Sequence, residues 1–136
     1  MANSLSEMIQ EIVNKSYEEK VMGAKLALGE CFGILNRIGL EKGKSTMMLI
    51  TFLTAAVAVN GEFSAPERRM LKDIFDDDFE GLVKAMDKEA FDMMNQMVDT
   101  LDGHDKASFC LLAIFILAVD DEIDTDEYKY LIKLLQ

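Results

Sequence analysis

Tryptophan is absent from this chain, and proline and histidine occur once each, at Pro66 and His104. Cysteine occurs twice, at Cys31 and Cys110, too few for a disulfide scaffold. Basic residues are also scarce, 14 against 25 acidic ones, for a formal net charge of −11. That balance argues against nucleic acid and anionic membrane surfaces as partners. The longest apolar runs, Met47–Val59 and Phe109–Val119, fall short of the ~18 residues that a membrane-spanning helix needs. There is no basic-then-apolar start of the secretory kind, so a cytoplasmic location is expected. Sustained apolar/polar alternation is missing too, which leaves no signal for a sheet.

What the chain does have is apolar content, 50% of its 136 residues, which excludes disorder and fits one domain over residues 1–136. The charge is unevenly spread. Residues 1–68 hold 7 basic and 8 acidic side chains, and residues 69–136 hold 7 basic and 17 acidic. The acids concentrate at Asp73–Glu80 and Asp120–Glu127. Such clusters serve as solvated faces and helix N-terminal charges, or as a cation site or a docking surface for a basic partner.

Helical spacing dominates. Tyr17, Val21, Ala24, Leu28, Cys31, Leu35 and Ile38 recur at alternating steps of four and three, which puts them on one helix face. Gly39 follows, where a helix end commonly turns left-handed. Gly29 and Gly33 sit within that helix four residues apart, a spacing that lets another backbone approach closely. Ser4–Val13 reads as a first helix. Ser45 opens a central buried helix over Met47–Val59, ending at Asn60-Gly61. Further helices are expected over about Ala65–Phe75, Leu82–Met86, Lys88–Leu101, Phe109–Val119 and Thr125–Leu135. Asp102-Gly103 breaks the chain between two of them, and His104 is expected in the turn leading into the Phe109 helix. Among the ten methionines, Met94 and Met97 share a stripe with Phe91 and Leu101 and are expected in the core, whereas Met93 faces outward. The fold class is all-α, a single-domain bundle of about seven helices.

A shift of 60 residues sets residues 51–76 on residues 111–136 without a gap, with five of 26 positions identical. Each copy has an apolar helix ending in Ala-Val, then a polar turn, Asn60-Gly61-Glu62 or Asp120-Asp121-Glu122. One apolar residue follows, Phe63 or Ile123, and then a cap pattern, Ser64-Ala65-Pro66-Glu67 or Asp124-Thr125-Asp126-Glu127. Ser64 and Asp124 suit N-caps, and Glu67 and Glu127 three residues later suit the reciprocal half of a capping box. Two such elements are expected to pack face to face.

Several chemical readings fail at this stage. Calcium-loop ligands would be needed at Ala56, Ala58, Ile116 and Ala118, where no side-chain oxygen exists, so neither turn is an EF-hand. Gly43-Lys44-Ser45-Thr46 has the wrong glycine spacing and follows a helix, which excludes a phosphate-binding loop. His104 stands alone and the two cysteines lie on apolar helices, so no nucleophile–base–orienter set can be assembled and no enzyme is expected. A cation site stays open. Asp120, Asp121, Glu122, Asp124, Asp126 and Glu127 are six carboxylates in eight residues, and facing repeats would add Asn60, Glu62 and Glu67. Such an all-oxygen set suits Ca²⁺, Mg²⁺ or Mn²⁺. The same residues also suit caps and solvated acids, with Asp120, Asp121, Asp124 and Asp126 as a docking face for a protein partner.

The segment Ala55-Ala56-Val57-Ala58-Val59-Asn60-Gly61-Glu62-Phe63-Ser64, with Glu67 and Leu71, resembles the signature of TerB-like domains, the tellurite-resistance family. Leu117–Leu131 looks like the same element repeated, and the two segments cover about 50 residues. The resemblance implies an all-helical fold of two pseudo-repeated halves and a bacterial stress-response or envelope-associated role exercised through protein contacts. It also implies cation ligands at Asn60, Glu62, Glu67, Asp120, Glu122 and Glu127. Two departures stand out: Asn60 replaces the usual Asp of the first turn, and Asp121 the usual glycine of the second.

Overall fold

The computed structural model describes residues 2–39, 41–57, 64–75, 88–120, 123 and 125–135. Among these, seven α-helices and no strands are found. They are α1 (Ala2–Val13), α2 (Tyr17–Arg37), α3 (Lys42–Val57), α4 (Ala65–Phe75), α5 (Lys88–Thr100), α6 (Gly103–Leu117) and α7 (Thr125–Leu135), with a 3₁₀ turn at Ala118–Asp120 after α6. No helix among the described residues is long and apolar enough to cross a membrane. The expected helix at Leu82–Met86 lies outside the described residues.

Local chemistry sets the helix ends. Ser16 caps α2: its hydroxyl accepts the Glu19 N–H at 3.2 Å, and the Glu19 carboxylate accepts the Ser16 N–H at 3.0 Å. Hydrogen bonding from Ser16, its backbone N–H first, holds the Glu19 carboxyl below the usual range. This capping box carries the same Ser-x-x-Glu spacing, Ser16 to Glu19, as the one at Ser64 and Glu67. At the other end Gly39 adopts φ 91°, and its N–H donates to the Asn36 carbonyl at 3.0 Å, as a left-handed helix end requires.

Two helices start earlier than their apolar runs. α3 begins at Lys42, so Ser45 is a buried residue inside the helix, its N–H bonded to the Glu41 carbonyl at 2.8 Å, and not the opening residue. α6 begins at Gly103, which puts His104 in a helical first turn instead of a connecting one. In both cases the apolar run marks where a helix enters the core, while the helix itself begins on the exposed residues before it.

α6 is the centre of the bundle. Every residue from Leu112 to Val119 is buried, which is why its sequence shows no polar face. α2 makes the most extensive contact with α6, and α3, α4, α1 and α7 also pack on it. The α2 stripe is buried at Ala24, Leu28, Cys31 and Leu35, whereas Ile38, past the last turn, is exposed. α3 and α6 meet edge to face at Phe52 and Phe109, ring centroids 5.3 Å apart at 83°. Met94, Met97 and Leu101 are buried and Met93 is exposed, as their spacing predicts. The buried Thr51 hydroxyl donates to the Met47 carbonyl one turn back at 2.8 Å, whereas the Thr54 hydroxyl is buried without a hydrogen-bond partner.

Candidate functional site

Asp120, closing the 3₁₀ turn after α6, meets Ser64, the residue before α4. Ser64 is the joining residue. Its hydroxyl accepts the Glu67 N–H at 3.2 Å, its own N–H donates to Glu67 Oε1 at 2.9 Å, and the hydroxyl donates to both oxygens of Asp120 at 3.0 and 3.2 Å. The first cap is thus a capping box, as the Ser-x-x-Glu pattern predicts, and its hydroxyl proton is spent on the second turn. We expect Ser64→Ala to cost about 1–2 kcal/mol, the loss of a cap plus the bond to Asp120. Urea unfolding of Ser64→Ala beside Asp120→Ala would check this, because the Asp120 change removes only the bond between turns.

The candidate residues divide by burial. Glu67 and Glu127, each in the first turn of its helix, are buried, while Asp120 and Asp126 are exposed. Asn60, Glu62, Asp121, Glu122 and Asp124 lie outside the described residues. Lys20 on α2 is also buried, and Lys20, Glu67 and Glu127 each keep an interaction partner. Ionic groups persist in a core only when they are paired or hydrogen-bonded. Lys20 escaped the sequence reading, although its position three after Tyr17 and four before Ala24 puts a charge on the apolar stripe of α2.

Beside these turns the start of α2 meets α4. The Tyr17 hydroxyl donates to Asp73 at 2.5 Å, and the Arg69 guanidinium stacks over the Tyr17 ring at 4.4 Å. Burial, reinforced by the Asp73 carboxylate, pushes the phenol up to about 12. Tyr17, Ala65, Pro66, Arg69 and Val119 line a shallow hollow of about 300 Å³ there. A separate cleft between Phe52, Met94, Val98, Lys106 and Tyr130 measures about 250 Å³, below the roughly 300–1,000 Å³ usual for small-molecule sites.

A second polar cluster sits at the start of α6. Ligand atoms of Asp102, His104 and Asp105 all fall within 4.8 Å of one another, the one such set of three among the described residues. Asp102 is the N-cap, accepting the Asp105 N–H at 2.8 Å, and Asp105 pairs with Arg37 at 3.2 Å. Both carboxylates are therefore already used by the fold. The run Asp-Gly-His-Asp is the sequence signal for this cluster; the sequence marks Asp102-Gly103 as a helix break and His104 as a turn residue, and the grouping comes from the N-cap geometry.

The two thiols are buried and pushed up by desolvation, each to about 12, the opposite of an activated thiolate. Burial does the same to Tyr130. Because these groups ionise more easily in the unfolded chain, their neutral forms stabilise the fold below pH 9.0, and that contribution is lost as pH climbs toward about 12. Urea midpoints measured at about pH 7, 9 and 10.5 are expected to fall over the last interval. A midpoint unchanged there would contradict the burial of Cys31 and Cys110.

No family model, curated protein or solved structure matches the chain.

Proposed function

We propose that this chain is a non-catalytic, cytoplasmic interaction module of the TerB-like kind, whose acidic turns dock a basic protein surface. The Ser64–Asp120 bond carries the reading. It ties the start of α4 to Asp120, which stands exposed, as does Asp126 in the first turn of α7. Carboxylates presented together steer a basic partner electrostatically and set its orientation. A lysine-rich peptide serves as the probe. Its binding is expected to weaken steeply with added salt and by about tenfold or more in Asp120→Lys/Asp126→Lys. Binding that ignores either change would remove this reading.

The same bond favours a second reading, a divalent-cation-binding regulator. It ties Ser64 to Asp120, and buried Glu67 and Glu127 lie in the first turns of the two helices that would move. Amide NMR titration of the metal-free protein with Ca²⁺, Mg²⁺ and Mn²⁺ separates the two readings. Saturable shifts confined to residues 60–67 and 120–127 would put the cation regulator first. Weak, unsaturated shifts at all acidic residues would mean screening and leave the docking face.

A further inference from the structure

The outer face of α2 is the least explained surface of the molecule. Met22 and Leu26, one turn apart, are 67% and 71% exposed, the two most exposed large apolar side chains among the described residues. Gly29 and Gly33 continue the same face one and two turns further on. A Cβ built at either glycine meets nothing within 4 Å, so no neighbour in the monomer requires a glycine there. Glycine inside a helix is costly relative to alanine, and here the chain's own packing returns nothing for that cost.

We propose that this face is a self-association surface, on which a second copy of the chain lays its own α2 antiparallel. The occupant follows from the pattern along the helix. Large residues, Met22 and Leu26, fill the first half of the face, and the small ones, Gly29 and Gly33, the second. The acidic residues Glu18 and Glu19 begin the helix and Arg37 ends it, with Lys25 and Glu30 on either side of the midpoint. A reversed copy brings Met22 level with Gly33, Leu26 level with Gly29, Lys25 level with Glu30, and the Glu18–Glu19 end level with Arg37. Arg37 keeps its contact with Asp105 at 3.2 Å while 67% of its side chain remains exposed to the partner. A parallel copy would set Met22 on Met22, glycine on glycine, Glu18 on Glu18 and Arg37 on Arg37. Opposed helix dipoles favour the reversed arrangement as well.

Charge points to the same helix. α2 exposes two basic charges, Lys25 and Arg37, and three acidic ones, Glu18, Glu19 and Glu30, near balance in a chain of net charge −11. It offers an approach on which two acidic molecules do not repel locally. The contact is isologous, so it closes as a dimer and does not grow into a filament. Glycines that admit a facing side chain, ringed by paired charges, give it an apolar centre and a polar rim.

Sedimentation velocity of the full chain over a concentration series tests this directly. The expected result is a rise from 15.3 kDa to twice that mass, unweakened by added salt because screening relieves the repulsion between acidic copies. That salt response is opposite to the one expected for docking a basic peptide, so the two proposals fail separately. Leu26→Glu is expected to weaken the dimer at least about tenfold by placing a charge in the apolar centre. Circular dichroism melting of the same variant should match the wild type at concentrations where both are monomeric, since Leu26 is 71% exposed. Register is read by cysteine pairing under mild oxidation. Met22→Cys combined with Gly33→Cys should crosslink two chains, while Met22→Cys alone should not, because a disulfide tolerates only a few ångströms of separation. A chain that stays at 15.3 kDa throughout, a dimer indifferent to Leu26→Glu, or crosslinking by Met22→Cys alone would each overturn the proposal.

Discussion

Phe109→Ala is expected to remove about 3–5 kcal/mol of stability, the usual cost of emptying a buried aromatic site. The side chain is fully buried on α6 and stands edge to face with Phe52 of α3, at 5.3 Å between ring centroids. This pair joins α3 to α6, so truncation opens a cavity on the seam between those helices. Domains of this size are stable by only about 5–15 kcal/mol, and the variant would spend a large share of that. Its thermal midpoint should fall by roughly 10–20 °C, at a few degrees per kcal/mol. Phe109→Leu, which keeps most of the volume, should cost less than half as much. Equal losses for the two variants would mean that the ring's bulk is not what holds α3 against α6.

Gly23→Ala is expected to destabilise by about 1–3 kcal/mol, although alanine is the better helix former. A Cβ at position 23 would lie 2.3–2.4 Å from ring atoms of Phe115, well inside van der Waals contact. Phe115 is buried on α6, on the most extensive helix contact of the fold, so the ring has little space into which to retreat. The double variant Gly23→Ala/Phe115→Leu should recover part of the loss, and the interaction term of the double-mutant cycle reads the clash directly. By contrast, Gly29→Ala and Gly33→Ala face open space and should each hold or raise the stability of the dissociated chain. Three glycines on one helix thus have opposite expected responses. A neutral Gly23→Ala would show that α2 and α6 sit farther apart than described here.

The contrast among those glycines shows where the sequence could be read and where it could not. Helix existence was legible because it depends on residues three and four apart. The stripe from Tyr17 to Leu35 shows it, as do the limits Ala65–Phe75 and Thr125–Leu135. Caps were legible for the same reason: Ser64 and Glu67 lie one turn from each other, and the bonds between them follow from the helix start alone. The starts of α3 and α6 were placed too late because an apolar run reports burial, which begins only where a helix meets its neighbours.

The candidate site was legible as a pair of acidic turns and as little more. Their chemical types repeat at a fixed shift, but which carboxylates are exposed depends on packing. Glu67 and Glu127 are buried, whereas Asp120 and Asp126 face outward. A buried Lys20 could not be weighed without knowing what lies across from it.

By itself, then, the sequence determined that this chain is all-helical, acidic in its second half, built on a repeated helix–turn–helix and punctuated by capping boxes. Each of these is decided within about one helical turn or by simple composition. Only the tertiary structure decided that Ser64 binds Asp120, 56 residues away, that Gly23 and not Gly29 must be glycine, and that one face of α2 is left without cover. Those facts depend on how helices pack against one another, and distant residues meet only when the whole core has chosen its arrangement.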